Sequence, residues 1–173
     1  LVSKPSAATS SAPISSSAPP KSAEQVWRVR LSPDDAAMGP KDATVTVVVF
    51  TAFGCAECTE FKGELDRLMA QEPYKSKVRV VFKHKVLPTP HPDAMLASQA
   101  ALAAKAQGRF WPFHDKLFAN SFSIDRMSLL GYAKELGLKT KTFEKDLDSQ
   151  RFRTQVLRDS LLAYEVGAHS FPN

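Results

Sequence analysis

The sequence predicts an α/β domain in which a strand–helix–strand unit is followed by a block of helices. Three observations carry that expectation. The runs Val45-Thr46-Val47-Val48-Val49-Phe50 and Val78 to Phe82 are short and nearly continuously apolar, the kind of strand a parallel sheet buries on both faces. Between them Phe61, Leu65, Leu68 and Met69 recur at the three-to-four spacing of one helix face. Beyond the second run the pattern stays helical almost to the last residue.

The elements follow in chain order. Residues 1–24 are mostly Ser, Ala and Pro and have nothing with which to build a core, so they read as a flexible linker or stalk, too polar for a membrane span or a signal-peptide core. Val26-Trp27-Arg28-Val29-Arg30-Leu31 alternates apolar and basic residues, as a half-exposed edge strand does. Ser32 to Asp42, with Pro33, Gly39 and Pro40, reads as a loop. The helix after the first apolar run ends near Gln71, where Pro73 stops it. Pro88, Pro90 and Pro92 stiffen the next loop, and Asp93 is placed to cap an Ala-rich helix that Gly108 closes. Further helices are expected from Trp111-Pro112, from Asp125 to Gly137, around Phe143 and Leu147, and from Phe152 to Gly167. Phe110, Trp111, Phe113, Phe118 and Phe122 read as the core of this block rather than a substrate groove, and His114 reads as structural. No internal repeat interrupts the chain.

The chain has two cysteines, Cys55 and Cys58, in Cys55-Ala56-Glu57-Cys58. They fall where the first strand turns into its helix. There a thiolate meets the positive end of the helix dipole and free backbone N–H groups, which favour the charged form. Cys55 at the helix mouth is then the reactive sulfur and Cys58, one turn in, its buried partner, the two able to cycle between dithiol and disulfide. A purely structural disulfide closing so small a loop would remove little unfolded-state entropy. Half a zinc site would need a second cysteine pair, and His84 and His91 are not at a finger spacing. The redox reading is favoured over both.

A net charge of +5 makes the chain basic, but its basic residues are spread out. The densest stretch, Lys75, Lys77, Arg79, Lys83, His84 and Lys85, flanks an apolar strand and reads as solvated strand ends. No aromatic-interleaved or helical reading motif accompanies it, so no nucleic-acid partner is expected.

Five stretches together resemble the DsbA-like branch of the thioredoxin superfamily: Gly39-Pro40-Lys41-Asp42-Ala43, Phe53-Gly54-Cys55-Ala56-Glu57-Cys58, His91-Pro92-Asp93-Ala94, Gln107 to Phe118 with its Phe110-Trp111-Pro112-Phe113-His114-Asp115 centre, and Val166-Gly167-Ala168-His169-Ser170-Phe171-Pro172. The resemblance covers about residues 26–173. It implies a thioredoxin-like fold (about 25–88 and 168–173) carrying an inserted helical block (about 89–167). It also implies a thiol-disulfide oxidoreductase acting on protein clients outside the cytoplasm, in the periplasm or cell envelope. Cys55 would form the mixed disulfide and Cys58 resolve it. Pro172, cis after Phe171, would bind the client beside the dipeptide Ala56-Glu57. No cofactor beyond the redox-active disulfide Cys55–Cys58 is implied. A redox partner that regenerates the pair is, and the N-terminal stalk is compatible with a membrane tether upstream of residue 1.

Three departures from the family pattern set further expectations. Ala-Glu stands between the cysteines where strong oxidants carry Pro and His, so the Glu57 carboxylate disfavours the Cys55 thiolate and points to a more reducing pair. Val49 stands where many relatives bury an acid, so proton removal from Cys58 must use water or another group. The sequence stops just after the cis-proline stretch, where the family continues with two strands and a helix. The fold is therefore expected to be truncated, with the Val45 to Phe50 strand left with one unpaired edge. The rival functions are a non-catalytic binding module of the same fold with a permanent disulfide, an electron shuttle tethered to a membrane protein, and, more weakly, a glutathione-transferring relative.

Overall fold

The computed structural model describes residues 26–86 and 92–170. The expected linker, the His91 motif residue, and the expected cis bond between Phe171 and Pro172 lie outside the described residues. The cis peptide bond among the described residues is Glu72–Pro73.

Among the described residues three strands and seven helices follow in order: β1 (Ala36–Met38), β2 (Val45–Thr51), α1 (Ala56–Met69), α2 (Tyr74–Lys77), β3 (Val78–His84), α3 (Ala94–Lys105), α4 (Phe110–Ala119), α5 (Arg126–Glu135), α6 (Thr140–Asp148) and α7 (Arg153–Glu165). The strand order is β1-β3-β2. β2 runs parallel to β3, from Val45 opposite Val78 to Thr51 opposite His84, so the two apolar runs form the expected parallel unit with α1 as its crossover. Among the described strands β2 has a partner on one side only.

The third strand is not where alternation puts it. Val26 to Leu31 forms no strand; only Val29 turns inward, against the cluster of Phe50, Ala163 and Ala168. The strand is Ala36–Met38, inside the stretch expected to be a loop, and it pairs antiparallel to β3 with Ala36 opposite Phe82. Alternation gives a segment a face but does not give it an edge to join. The chain leaving β1 passes very close to β3 at Gly39. A Cβ there would sit 2.4 Å from the Val78 carbonyl oxygen, and the residue's φ of +89° is one that glycine adopts freely. The Trp111 indole N–H also donates to the Ala37 carbonyl at 3.1 Å and ties the strand to α4.

α3 is the axis of the helical block. Its Ala97, Ala100, Ala101, Ala103 and Ala104 are fully buried, and it packs against α4, α5, α6 and α7. A helix made mostly of alanine and other apolar residues belongs inside, and its small side chains let neighbours approach closely. Phe113 of α4 meets Phe143 of α6 with ring centroids 5.4 Å apart. The helix expected from Asp125 forms as α5, and Asp125 caps it, accepting from the backbone N–H groups of Met127 and Ser128 at 2.9 and 3.2 Å. Phe110, Phe113 and Phe118 are core residues, whereas Phe122 is exposed.

The basic stretch needs correcting at its end. Lys75 and Lys77 are exposed, but Lys83, His84 and Lys85 are buried. Lys83 lies between Asp35 at 2.7 Å and Asp159 of α7 at 3.1 Å, and the Lys85 ammonium donates to the Ser170 carbonyl. Strand ends read as solvated from one segment are here covered by α7 and by the chain before β1.

Candidate functional site

β2 ends at Thr51 and the chain turns through Ala52-Phe53-Gly54 into α1. Gly54 takes a φ of +77° immediately before Cys55, a left-handed step that a side chain would resist. Cys55 is the N-cap of α1, and its sulfur accepts the Cys58 backbone N–H at 3.1 Å. A cap residue normally offers an oxygen to these unpaired donors; here a sulfur stands in that place, where negative charge is favoured. The helix starts cleanly behind it, with Thr59 N–H and the Thr59 hydroxyl both donating to the Cys55 carbonyl at 3.1 Å.

Cys55 and Cys58 are joined as a disulfide, with their Cα atoms 5.2 Å apart. Cys55 keeps a sliver of surface and Cys58 none, at 5% and 0% exposure. Ala56 and Glu57 between them are exposed, and a Glu57 carboxylate oxygen lies 3.6 Å from the Cys55 sulfur. Of the sequence-predicted site residues, the structure thus brings Cys55, Ala56, Glu57 and Cys58 into one turn, while Phe171 and Pro172 lie outside the described residues. Among the described residues no three His, Cys, Asp or Glu side chains converge as a metal site.

The turn rests on an aromatic layer between sheet and helical block. Phe53 is fully buried, stacked on Phe82 at 5.6 Å and tilted against Phe118 at 5.2 Å. His114 of α4 joins the layer, 5.9 Å from the Phe53 ring and 4.8 Å from Phe118. Such ring pairs add to the burial of their own area and fix the turn against the rigid centre of the domain.

Two histidines in this layer are neutral. His84 is fully buried, and burial first, with His114 and Lys83 nearby adding to it, lowers its pKa to about 3. Burial also lowers the pKa of His114, against the opposing pull of its hydrogen bond to Asp115. Lys62, on α1 one turn beyond the cysteines, pairs with Asp66 and reaches Asp115 at 3.2 Å. Burial works against its ammonium, but those two carboxylates outweigh it and hold the Lys62 pKa above the usual value. Asp115 belongs to a stretch the sequence singled out, but its pairing with Lys62 was not foreseen, because a lysine and an aspartate on two helices give no sign that they meet. The i,i+4 spacing of Lys62 and Asp66 was the one available signal.

Known proteins resemble this chain in sequence and in fold. A family model described as thioredoxin matches residues 31–173. The chain is 40% identical over 134 residues to a protein of Herminiimonas arsenicoxydans named Na(+)/H(+) antiporter NhaA, a match covering 78% of this chain and 21% of that protein. The chain spans about a fifth of the length of the curated relatives it matches. Among solved structures, a thioredoxin-like oxidoreductase from Silicibacter pomeroyi DSS-3 superposes with a TM-score of 0.69 at 28% identity, over 79% of this chain and 76% of that one. Oxidised BdbD from Bacillus subtilis gives 0.70 at 26% identity, over 80% and 79%. No helix among the described residues is long and apolar enough to cross a membrane.

Proposed function

Because the chain belongs to the thioredoxin family, in its DsbA-like branch, we propose that it exchanges disulfides with protein clients outside the cytoplasm through Cys55 and Cys58. The observation that carries this reading is the Cys55 sulfur at the N-cap of α1, accepting the Cys58 N–H at 3.1 Å beside a buried partner sulfur. That arrangement favours the Cys55 thiolate and spends it on exchange with the one sulfur within reach or with a client's. In one direction the Cys55 thiolate attacks a client disulfide, a mixed disulfide forms, and Cys58 displaces the client thiolate as the Cys55–Cys58 bond closes. In the other, a client thiolate opens the pair by the same path. Two electrons move per cycle, and each turnover leaves the pair in the opposite state, so a second redox protein must regenerate it. Phe171 and Pro172, with Ala56 and Glu57, are the proposed client contacts.

Trapping tests the reading. With Cys58→Ser the mixed disulfide on Cys55 should persist, and envelope extracts should yield client adducts that vanish on reduction and in Cys55→Ser/Cys58→Ser. An extract with no such adduct would reject it.

A second reading has one observation in its favour. The relatives with the printed name Na(+)/H(+) antiporter match this chain over only about a fifth of their length, which suits a redox domain carried by, or tethered to, a membrane protein. An antibody raised against this domain should then find it in the membrane fraction on a polypeptide far longer than 173 residues. A small species in the soluble envelope fraction would exclude this second reading.

A further inference from the structure

Behind the disulfide, between α1, α4 and the sheet, lies a cleft whose volume open to the centre of a water is about 20 Å³. One water needs about that much, provided it finds polar partners. Cys58, Thr51, Lys62, Asp66 and His114 are among the residues lining it. The Thr51 hydroxyl oxygen is buried and has no hydrogen-bond partner among the described residues, so the cleft contains a group able to hold a water.

His114 Nδ1 lies 3.0 Å from a carboxylate oxygen of Asp115. A carboxylate only accepts, so Nδ1 carries the hydrogen, and in the neutral ring Nε2 is left as an acceptor. Asp115 is held in turn by Lys62 at 3.2 Å. The titratable and charged groups around the ring are Asp115 on its own helix, Lys62, Asp66 and Cys58 on α1, and His84 on β3, which is neutral. His114 is therefore the neutral base of the group, and it shares a water-sized cleft with the thiol that must lose a proton.

We propose that His114, oriented by Asp115, exchanges a proton with Cys58 through a water in this cleft and so sets the rate of the resolving step. The proposal rests on the redox reading of the Cys55–Cys58 pair. In the mixed disulfide Cys55 is bonded to the client sulfur and Cys58 carries S–H. His114 Nε2 takes that proton by way of the water. The freed electron pair on Cys58 forms the bond to Cys55, the bond from Cys55 to the client breaks, and the client leaves as a thiolate that protonates from solvent. The imidazolium then returns its proton to water. In the reverse direction the same imidazolium protonates Cys58 as it leaves. His114 is the proton carrier and Asp115 a positioning residue.

Reaction of the reduced protein with 5,5′-dithiobis(2-nitrobenzoate) in a stopped-flow instrument separates the steps. The first nitrothiobenzoate is released when Cys55 attacks, at a rate proportional to reagent. The second is released when Cys58 resolves, at a rate independent of it. His114→Asn keeps a donor toward Asp115 but removes the basic ring nitrogen, since an amide oxygen accepts a hydrogen bond without taking up the proton. It should slow the second phase roughly tenfold or more, leave the first unchanged, and make the second phase rise with pH more steeply than in the wild type. Asp115→Ala, at a side chain 57% exposed, should slow the second phase in the same direction and decides the matter if His114→Asn does not fold. A second phase at the wild-type rate and pH profile in Asp115→Ala and in folded His114→Asn would overturn the proposal alone. A wild-type protein that releases no nitrothiobenzoate would overturn the redox reading with it.

Discussion

On one side of β3, Val80, Phe82 and His84 meet α1 and the aromatic layer of α4. On the other, Lys83 meets Asp35 and Asp159, and α7 is fastened by the His84 N–H to Asp159 at 3.3 Å and the Val86 N–H to Ser160 at 3.1 Å. The first face is held by burial and ring packing, which respond in proportion to the atoms removed. The second adds to its apolar contacts, Phe50 with Ala163 and Ala168, a set of polar pairs whose side chains keep little surface, and these respond as a unit. Two carboxylates there share one ammonium. Burial raises the Asp159 pKa against the pull of Lys83. On Lys83 itself burial is outweighed by the two carboxylates, and its ammonium is held above the usual range. The contrast teaches where the domain is adjustable: the apolar face backs the cysteine turn, while the polar face fixes α7 and the chain leading away from it to Ser170, whose carbonyl Lys85 holds.

The largest expected effect separates the faces. Lys83→Met leaves two buried carboxylates without their cation and should cost about 3–5 kcal/mol in urea unfolding. Replacing Asp35, Lys83 and Asp159 together by apolar residues of similar size should recover most of it. A single variant within about 1 kcal/mol of wild type would erase the distinction between the faces.

Next in size is the acid response of the apolar face. His84 has a folded pKa of about 3, below its unfolded value near 6.5. Between those values the unfolded chain binds the extra proton. The stability this neutral histidine contributes is therefore whole above pH 6.5 and is lost as the pH falls toward 3, by at most about 1.4 kcal/mol per pH unit. His114, also lowered, acts in the same direction. Thermal unfolding followed from pH 7 to pH 4 should show the loss, and His84→Gln should flatten it; parallel curves for the two proteins would contradict it.

The smallest effect lies at the surface of the turn that the apolar face supports. The Glu57 carboxylate 3.6 Å from the Cys55 sulfur opposes the thiolate and so destabilises the reduced form. Glu57→His should raise the reduction potential by roughly 30 mV or more, equivalent to about 1.4 kcal/mol. An unchanged or lower potential would show that the dipeptide does not set the poise.

How much of this was legible in the sequence follows the range of the forces involved. The parallel unit, the helix start at Asp125, the helix stop at Gly108, and the cysteines at a helix mouth depend on neighbours a few residues away, and their residue types report them. β1 was not legible, because Ala36–Met38 is three residues long and is defined by its pairing with β3, a contact across the fold. Nor was the burial of Lys83: a lysine at a strand end is ordinarily wet, and its partners come from positions 35 and 159. His114 was read as structural from its aromatic surroundings, which the structure reproduces. Its shared cleft with Cys58 needed three elements in place to be seen.

The central claim is that Cys55 and Cys58 form a working redox couple, and equilibration of the pair against a graded series of reduced and oxidised glutathione tests it most directly, with the thiol state read by mass after alkylation. The expected result is a single reversible two-electron transition, the same from either direction and lying below the potentials of strong oxidants. A pair that stays oxidised across the whole series, and in dithiothreitol as well, would contradict the account and leave a permanent disulfide in a binding domain.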